Sequence, residues 1–303
     1  MGRNSASVIE RFAPSPNGAL HLGHAFSALT AWDAAHADGG RFLLRIEDID
    51  QARCRPELEA AMLEDLEWLG LRWETPVLRQ SDRMGAYAEA LASLDARGLL
   101  YPCFCSRKDI QSVLQAPQEQ AGPDGPAYPG TCRDLPERKR IQRETNGDPF
   151  ALRLNMRRAF AALGGAGVVS KLSFIALGRG PGGDSGKVTL DPSFLIDACG
   201  DVALARKEIP TSYHLAVVLD DAHQGVTHVT RGEDLFAATH VHRLLQALLG
   251  RPTPHYRHHK LIRDEDGRRL AKRDRDAGIA ELRAGGATPK DIREMVGLPE
   301  ARP

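Results

Sequence analysis

The stretch RFAPSPNGALHLGH, residues 11–24, carries the strongest fold signal of this chain. Residues 8–12, which lead into it, predict a short buried strand, and the Pro/Gly-rich residues 14–18 predict a turn. A helix is expected to begin near His21 and His24. The start of a helix collects unpaired backbone N–H groups and the positive end of the helix dipole, which suits a phosphate group. Because two imidazoles add hydrogen-bond donors there, the stretch predicts a strand–turn–helix unit that binds a phosphorylated ligand.

The composition limits the partners and the location of the protein. Among 303 residues, Lys and Arg number 40 and Asp and Glu also number 40, so a nucleic-acid contact must rest on a local patch rather than on overall charge. Residues 1–7 are polar, and no apolar run is long enough for a signal peptide or a membrane span. We therefore predict a cytoplasmic protein with no membrane partner, whose five cysteines are thiols or metal ligands. A monomer is expected because no coiled-coil pattern or large apolar stripe is evident.

Strand-like and helical patterns alternate outside the middle of the chain. The predicted strands are residues 8–12, 42–46, 213–219 and 226–230, and the predicted helices are residues 56–69, 84–97 and 239–249. Strands that alternate with helices predict an α/β fold with a parallel sheet. Ligands of such folds bind beyond the carboxyl ends of the strands.

The middle of the chain has a different character. Residues 102–195 show poor periodicity, with a glycine-dense stretch at 163–187, and predict an inserted subdomain. The insert would separate the two halves of the catalytic domain, which we expect at residues 8–101 and 196–260. Residues 261–303 form a C-terminal segment with a helical pattern and little apolar content.

A second motif, GRRLAKRD at residues 267–274, follows far along the chain. Together with the His-x-Gly-His segment it resembles the paired signatures of class I aminoacyl-tRNA synthetases. RFAPSP at 11–16, RIEDID at 45–50 and YHLAVV at 213–218 further resemble glutamyl-tRNA synthetases, in the same order. The resemblance covers most of the chain and implies a Rossmann-like catalytic domain with a parallel sheet. It also implies an inserted zinc-binding subdomain and a short helical C-terminal segment.

The resemblance implies a role for each motif residue. ATP would be bound by His21, Gly23, His24 and Lys272, and the catalytic residues would be His21, His24 and Lys272. L-Glutamate would be bound by Arg11, Ala13, Ser15, Glu47, Tyr213 and Arg231. A guanidinium fork matches a carboxylate, and Glu47 is the candidate for the ammonium group. The sequence leaves open which arginine takes which carboxylate.

The lysine motif departs from the lysine-x-serine-lysine form of the family. Arg269 stands at its first basic position, and Ala271 replaces the small hydroxyl residue. Because Arg supplies the same charge as Lys, Lys272 is kept as a functional residue. The alternative is a solvated basic turn.

Three cysteines of the predicted insert form a candidate metal site. Cys103, Cys105 and Cys132 have the spacing of a C-x-C pair with a distant third thiol, which suits a tetrahedral structural zinc. The resemblance implies Tyr128 as the fourth ligand, while His, Asp or water would be the ordinary choice on general grounds. The alternative is a set of three unligated thiols.

Length selects among the members of the family. A complete glutamyl-tRNA synthetase continues past its lysine motif into a large anticodon-reading domain, for which 303 residues leave no room. The chain therefore resembles a truncated branch that activates glutamate with ATP, with Mg²⁺ as the expected companion. This branch then esterifies glutamate to queuosine in tRNA(Asp). The alternatives are the catalytic portion of a glutamyl-tRNA synthetase that charges tRNA(Glu), and a nucleotidyltransferase of the same fold.

Overall fold

The computed structural model describes residues 7–37, 39–113, 122–178, 180–262 and 278–300. The strands are β1 (Ile9–Phe12), β2 (Arg41–Ile46), β3 (Leu78–Arg79), β4 (Leu100–Cys103), β5 (Ala151–Leu154), β6 (Ser173–Leu177), β7 (Gly186–Thr189), β8 (Ala203–Ala205), β9 (His228–Gly232) and β10 (His255–His259). The helices are α1 (Leu22–Ala37), α2 (Pro56–Trp68), α3 (Met84–Ala96), α4 (Arg107–Val113), α5 (Glu137–Thr145), α6 (Met156–Ala162), α7 (Ala166–Val169), α8 (Tyr213–His223), α9 (Phe236–Leu249), α10 (Ile279–Ala284) and α11 (Pro289–Met295). No helix among these residues is long and apolar enough to cross a membrane.

A parallel sheet forms the centre of the molecule, as the alternating pattern predicted. The strands β1, β2 and β3 pair in parallel, and β9, β10 and β6 form a second parallel set that β7 extends in the antiparallel direction. The two sets meet at Ile9, whose carbonyl oxygen accepts the backbone N–H of Thr227 at 3.0 Å. The resulting order is β3-β2-β1-β9-β10-β6-β7. The sheet order reverses between β1 and β9, and such a reversal is where open α/β sheets bind ligands.

The two sequence halves contribute to this sheet from both sides of the insert. Strand β6 lies within the residues expected to form the insert, yet it pairs with β10 of the central sheet. Strand β8 lies beyond residue 195, yet it pairs with β5 in a separate antiparallel sheet that also contains β4. On each side of the expected boundary at residue 195, one strand therefore pairs with the sheet of the other side. The domain division stays a prediction.

Residues 213–219, predicted as a strand, are helical instead, because they form the first turns of α8. The side chain of Ser212 caps this helix by accepting the backbone N–H of Leu215 at 3.4 Å. Every residue from His214 to Asp221 is buried, so the helix is enclosed on all sides. A helix with no exposed face shows the same continuous apolar run as a buried strand, and periodicity alone does not separate them.

The C-terminal helices pack on the first half of the molecule. Ile279 of α10 and Ile292 of α11 are fully buried in the core that α1 and α2 share. The guanidinium of Arg293, itself buried, donates to both carboxylate oxygens of Asp33 in α1, at 2.7 and 2.9 Å. The predicted helical C-terminal segment is thus fixed against the helix that begins at the two histidines.

Candidate active site

A cavity of about 360 Å³ opens at the carboxyl ends of β1 and β9, where the sheet order reverses. The predicted ligand-binding residues that the structure describes all line it: Arg11, Ala13, Ser15, His21, Gly23, His24, Glu47, Tyr213 and Arg231. Residues from both sequence halves therefore share one cavity. Lys272, predicted to be catalytic, lies outside the described residues, as do Arg269 and Ala271.

The two histidines lie at the start of α1, as the sequence predicted. Their rings are 3.8 Å apart, and the backbone N–H of Gly23 donates to Nδ1 of His21 at 3.0 Å. The backbone N–H of His21 lies 3.3 Å from Nδ1 of His24 and donates to it. Since both Nδ1 atoms accept, each neutral ring carries its proton on Nε2. Both imidazoles can therefore donate to an anion at the helix start, where the helix dipole also favours negative charge.

A buried ion network supports the sheet side of the cavity. Arg11 Nε lies 3.1 Å from Asp221 Oδ1, and Arg45 Nη1 lies 2.7 Å from the same oxygen. Arg45 Nη2 also lies 3.3 Å from Glu47 Oε1, so the two guanidinium groups face two carboxylates. Burial opposes ionisation of Asp221, but the charges of Arg11 and Arg45 hold the pKa of this carboxyl below its usual range. Burial raises the pKa of Glu47 against the charges of Arg45 and Arg11.

A separate set of groups surrounds Arg231 on the other side of the cavity. Its guanidinium donates to the Tyr213 hydroxyl at 3.2 Å and to Thr239 Oγ1 at 2.6 Å. It also donates to His242 Nδ1 at 3.2 Å and to His258 Nε2 at 3.3 Å. Burial, together with the charge of Arg231, lowers the pKa of His258 to about 3, and the same causes hold the pKa of His242 well below its usual value. Both histidines are therefore neutral acceptors.

Sequence reasoning missed the residues that hold the two arginines. Asp221 contacts Arg11 and is itself contacted by Arg45, while Thr239, His242 and His258 contact Arg231. Arg45 and Asp221 carried an available signal, because a charge inside an apolar strand or helix is seldom buried without a partner. The two histidines carried no such signal, since a lone histidine in a helix or strand is usually a surface or packing residue.

The charges of the lining suit a ligand with two anionic groups and one cationic group. The guanidinium groups of Arg11 and Arg231 can each donate to a carboxylate, and the Glu47 carboxylate can accept from an ammonium group. The backbone and hydroxyl of Ser15 lie in the same turn as the start of α1. A diacid with an amino group would thus sit next to the imidazoles that can bind phosphate.

The cysteine cluster lies in the insert, away from this cavity. Sγ atoms of Cys103, Cys105 and Cys132 lie within 4.8 Å of one another, and those of Cys105 and Cys132 are 3.5 Å apart. Tetrahedral zinc–thiolate sites keep their sulfur atoms roughly 3.8 Å apart, since the zinc–sulfur distance is about 2.3 Å. The Tyr128 hydroxyl lies 3.5 Å from Cys105 Sγ and accepts the backbone N–H of Cys132 at 2.8 Å. The thiols fit a metal ion, and Tyr128 lies next to them.

A second and larger cavity, of about 1180 Å³, opens beside the cysteine cluster. Its lining includes basic side chains, aromatic rings and acidic groups: Arg53, Arg143, Arg153, Arg206, Lys207, Phe104, Tyr128, Phe150, Asp50, Asp124 and Asp201. The guanidinium of Arg153 stacks over the Tyr128 ring at 3.9 Å, and that of Arg143 lies 4.5 Å from the Phe104 ring centre. Cations interleaved with aromatic rings are typical of surfaces that bind nucleic acid.

A family model for the catalytic domain of class I tRNA synthetases (E and Q) matches residues 7–163 and 185–298. The residues between these two ranges fall in the glycine-dense stretch. Every strand of the central sheet except β6 lies within the match, as do the C-terminal helices.

Several curated relatives are similar over nearly the whole chain. The glutamyl-Q tRNA(Asp) synthetase of Rhodobacter capsulatus is 55% identical over 96% of this chain and 100% of its own length. That of Symbiobacterium thermophilum is 43% identical over 93% of this chain and 83% of its own length.

Solved structures of glutamate-specific enzymes share the fold. A glutamate tRNA ligase from Elizabethkingia meningosepticum, crystallised with its amino acid, is 27% identical with a TM-score of 0.68. The glutamate-tRNA synthetase of Elizabethkingia anophelis is 25% identical with a TM-score of 0.74. The match covers 88% and 96% of this chain, which spans only 52% and 61% of those longer chains.

Proposed function

Because the chain belongs to the class I tRNA synthetases of the E and Q catalytic-domain family, we propose that it activates L-glutamate with ATP and transfers the glutamyl group to queuosine in tRNA(Asp). The observation that carries the proposal is the single cavity in which two buried arginines, a largely buried glutamate and two imidazoles meet. The similarity to glutamyl-Q tRNA(Asp) synthetases over nearly the full chain supports the nucleic-acid substrate.

In the first step, a carboxylate oxygen of glutamate attacks the α-phosphorus of ATP. The bond between the α-phosphorus and the oxygen that joins it to the β-phosphorus breaks, and pyrophosphate leaves with the electron pair. Arg11 and Arg231 hold the glutamate carboxylates, and Glu47 holds its ammonium group. The Nε2–H groups of His21 and His24 donate to the phosphates as negative charge builds on them.

In the second step, a hydroxyl of queuosine attacks the activated carbonyl carbon. The bond from the carbonyl carbon to the phosphate oxygen breaks, AMP leaves with the electron pair, the hydroxyl proton is released to the AMP phosphate or to water, and an ester forms. The reaction requires the hydroxyl to be positioned and water to be kept out, so the same cavity serves both steps. Mg²⁺ would accompany ATP and neutralise part of its charge.

Lys272 is proposed as the cation on the pyrophosphate side. The described residues that flank its segment lie beside the cavity: Leu261 and Ile262 line it, and the backbone N–H of Ile279 donates to the Leu20 carbonyl at 2.9 Å. We expect Lys272→Ala to raise the activation barrier by roughly 2–4 kcal/mol, the scale for losing one charge-stabilising donor. Glutamate-dependent exchange of labelled pyrophosphate into ATP measures this loss. An unchanged exchange rate would remove Lys272 from the mechanism.

The cysteine cluster is proposed to hold one structural zinc through Cys103, Cys105, Cys132 and Tyr128. Thiolates are soft ligands that suit zinc, and a closed set of four protein ligands is typical of a structural ion. When bound, zinc would cross-link the loop after β4 to the loop that contains Tyr128 and Cys132. We further propose that the enzyme acts as a monomer in the cytoplasm, where its tRNA substrate is found.

The deciding experiment supplies ATP, labelled glutamate and tRNA(Asp), with or without queuosine. We expect label only on the modified tRNA, as an ester that mild base removes. A second candidate function is the charging of tRNA(Glu), which the likeness to longer glutamate tRNA ligases favours. Label on tRNA(Glu) that lacks queuosine would support that candidate instead. Absence of glutamate-dependent pyrophosphate exchange both with and without tRNA would reject both candidates.

A further inference from the structure

A chain of buried polar groups runs from the amino-acid cavity to the insert. Arg231 Nη1 lies 3.2 Å from His242 Nδ1, and His242 Nε2 lies 3.0 Å from His214 Nδ1. His214 Nε2 in turn lies 3.4 Å from Asp124 Oδ1. His242 and His214 are 1% and 3% exposed, whereas 45% of the Asp124 side chain is exposed in the second cavity.

Each contact in this chain has only one possible direction. A guanidinium can only donate, so His242 Nδ1 accepts from Arg231 and its ring proton must sit on Nε2. That proton is donated to His214 Nδ1, which leaves the proton of the His214 ring on Nε2. The His214 N–H therefore faces the Asp124 carboxylate. The two groups are poorly aligned for a hydrogen bond, so this last contact is electrostatic.

Arg11 and Arg231 differ in the kind of partner that holds each guanidinium. Arg11 contacts the carboxylate of Asp221 directly. Among the described residues, no carboxylate lies within ion-pair distance of Arg231, whose partners are hydroxyl groups and neutral imidazoles. Among the described residues, the path through the His242 and His214 rings connects Arg231 to the Asp124 carboxylate.

We propose that His242 and His214 are positioning residues that hold Arg231 for a substrate carboxylate, and that Asp124 of the insert fixes the direction of this relay. The proposal rests on the proposed function, because it takes Arg231 as a glutamate-binding group. The relay physically connects the amino-acid cavity, which Arg231 lines, to the second cavity beside the cysteine cluster, which Asp124 lines. The relay leaves the Arg231 charge free for the substrate while it fixes the orientation of the guanidinium.

Two substitutions of His242 separate positioning from mere packing. In His242→Gln, the amide oxygen can accept from Arg231 and the amide N–H can donate to His214, so the direction of the relay is kept. His242→Leu fills the space but removes the acceptor of Arg231 and the donor to His214 Nδ1. We expect His242→Leu to raise the KM for glutamate roughly tenfold or more, the scale of an unsatisfied buried polar group. We expect His242→Gln to stay near the wild-type value, and the KM for ATP to change little in either variant.

A third variant tests the far end of the relay without disturbing the core. Asp124→Asn removes the negative charge from a half-exposed side chain, and we expect a several-fold rise in the KM for glutamate. Glu144→Gln is the matched control, because Glu144 is an exposed carboxylate on α5 of the insert. If Asp124→Asn behaves like this control, or if the two His242 variants have the same effect, the proposal is wrong. Because Asp124 is half exposed, its variant carries the test even where His242→Leu does not fold.

A measurement that needs no activity keeps this proposal separate from the proposed function. Nitrogen NMR of histidine-labelled wild-type protein reports which ring nitrogen carries the proton. We expect the ring proton of His242 and that of His214 to lie on Nε2, and an Nδ1 proton on either ring would overturn the relay. Lack of glutamate-dependent exchange in the wild-type protein would reject the proposed function, whatever these spectra show.

Discussion

Gly23 is required by a neighbouring side chain and not by its own backbone. A Cβ atom at this position would lie 2.9 Å from Cε1 of His21 and 3.1 Å from its Nδ1. We expect Gly23→Ala to displace the His21 ring and to lower glutamate-dependent pyrophosphate exchange about tenfold or more, with a higher KM for ATP. Gly85→Ala is the control, because a Cβ there meets no atom within 4 Å. The control should keep full activity and stability, and equal activity of the two variants would contradict this prediction.

Glu10 makes the stability of the protein depend on pH. It is 1% exposed, Thr230 donates to its Oε1 at 3.0 Å, and its Oε2 has no hydrogen-bond partner among the described residues. Burial raises the pKa of Glu10 to about 7. The hydrogen bond from Thr230 and the charges of Arg11 and Arg257 lower this pKa, but burial outweighs them. The folded state therefore favours the protonated form, and this contribution to stability is complete below the unfolded pKa of 4.5 and is lost as the pH rises through about 7.

We expect Glu10→Gln to remove most of this pH dependence. The free energy of unfolding of the variant, relative to wild type, should rise by about 2–3 kcal/mol between pH 5 and pH 8, because ionisation of the buried carboxyl no longer opposes folding. Urea unfolding at a series of pH values measures the difference. A constant difference across this range would show that Glu10 does not titrate there.

Elements whose signal is local were predicted well from the sequence. Strand β2 and helices α2 and α9 follow the predicted ranges, and Gly250 ends α9 in a left-handed conformation with φ of 61°. Helix α8 was predicted as a strand because its whole circumference is buried, and burial is a property of the assembled molecule. Ser212 carried the one local signal for a helix start.

The insert is the element whose order should depend on metal. We expect purified wild-type protein to hold about one zinc per chain, and Cys132→Ser to hold well under half, because a hydroxyl is a much poorer zinc ligand than a thiolate. Tyr128→Phe should still bind zinc, but with lower affinity, so that a chelator too weak to strip the wild-type protein removes zinc from the variant. Cys54→Ser is the control, since Cys54 lies outside the cluster. Wild-type protein purified with zinc that holds almost none would contradict the site.

The candidate active site is a property of the whole molecule, because its residues come from both sequence halves and meet at the middle of the central sheet. The sequence supplied Arg11, Glu47, Tyr213 and Arg231 as separate motif residues, and the fold brings them to one cavity. It did not supply Asp221 or the histidines that hold Arg231, because these act through contacts between residues far apart in the chain. Such supports depend on side-chain packing across elements, for which no short motif exists.

The seam between β1 and β9 is where the two halves join, and Thr227 holds it at the side-chain level. The backbone N–H of Ile9 donates to Thr227 Oγ1 at 2.8 Å, while the backbone N–H of Thr227 donates to the Ile9 carbonyl. Thr227→Val keeps the shape of the side chain but leaves the Ile9 N–H unpaired, so we expect a loss of about 1–3 kcal/mol in the free energy of unfolding. Thr227→Ser keeps the hydroxyl and should lose less. Urea unfolding of the wild type and of both variants measures these losses. Equal stability of the valine and serine variants would show that the hydroxyl does not hold the two halves together.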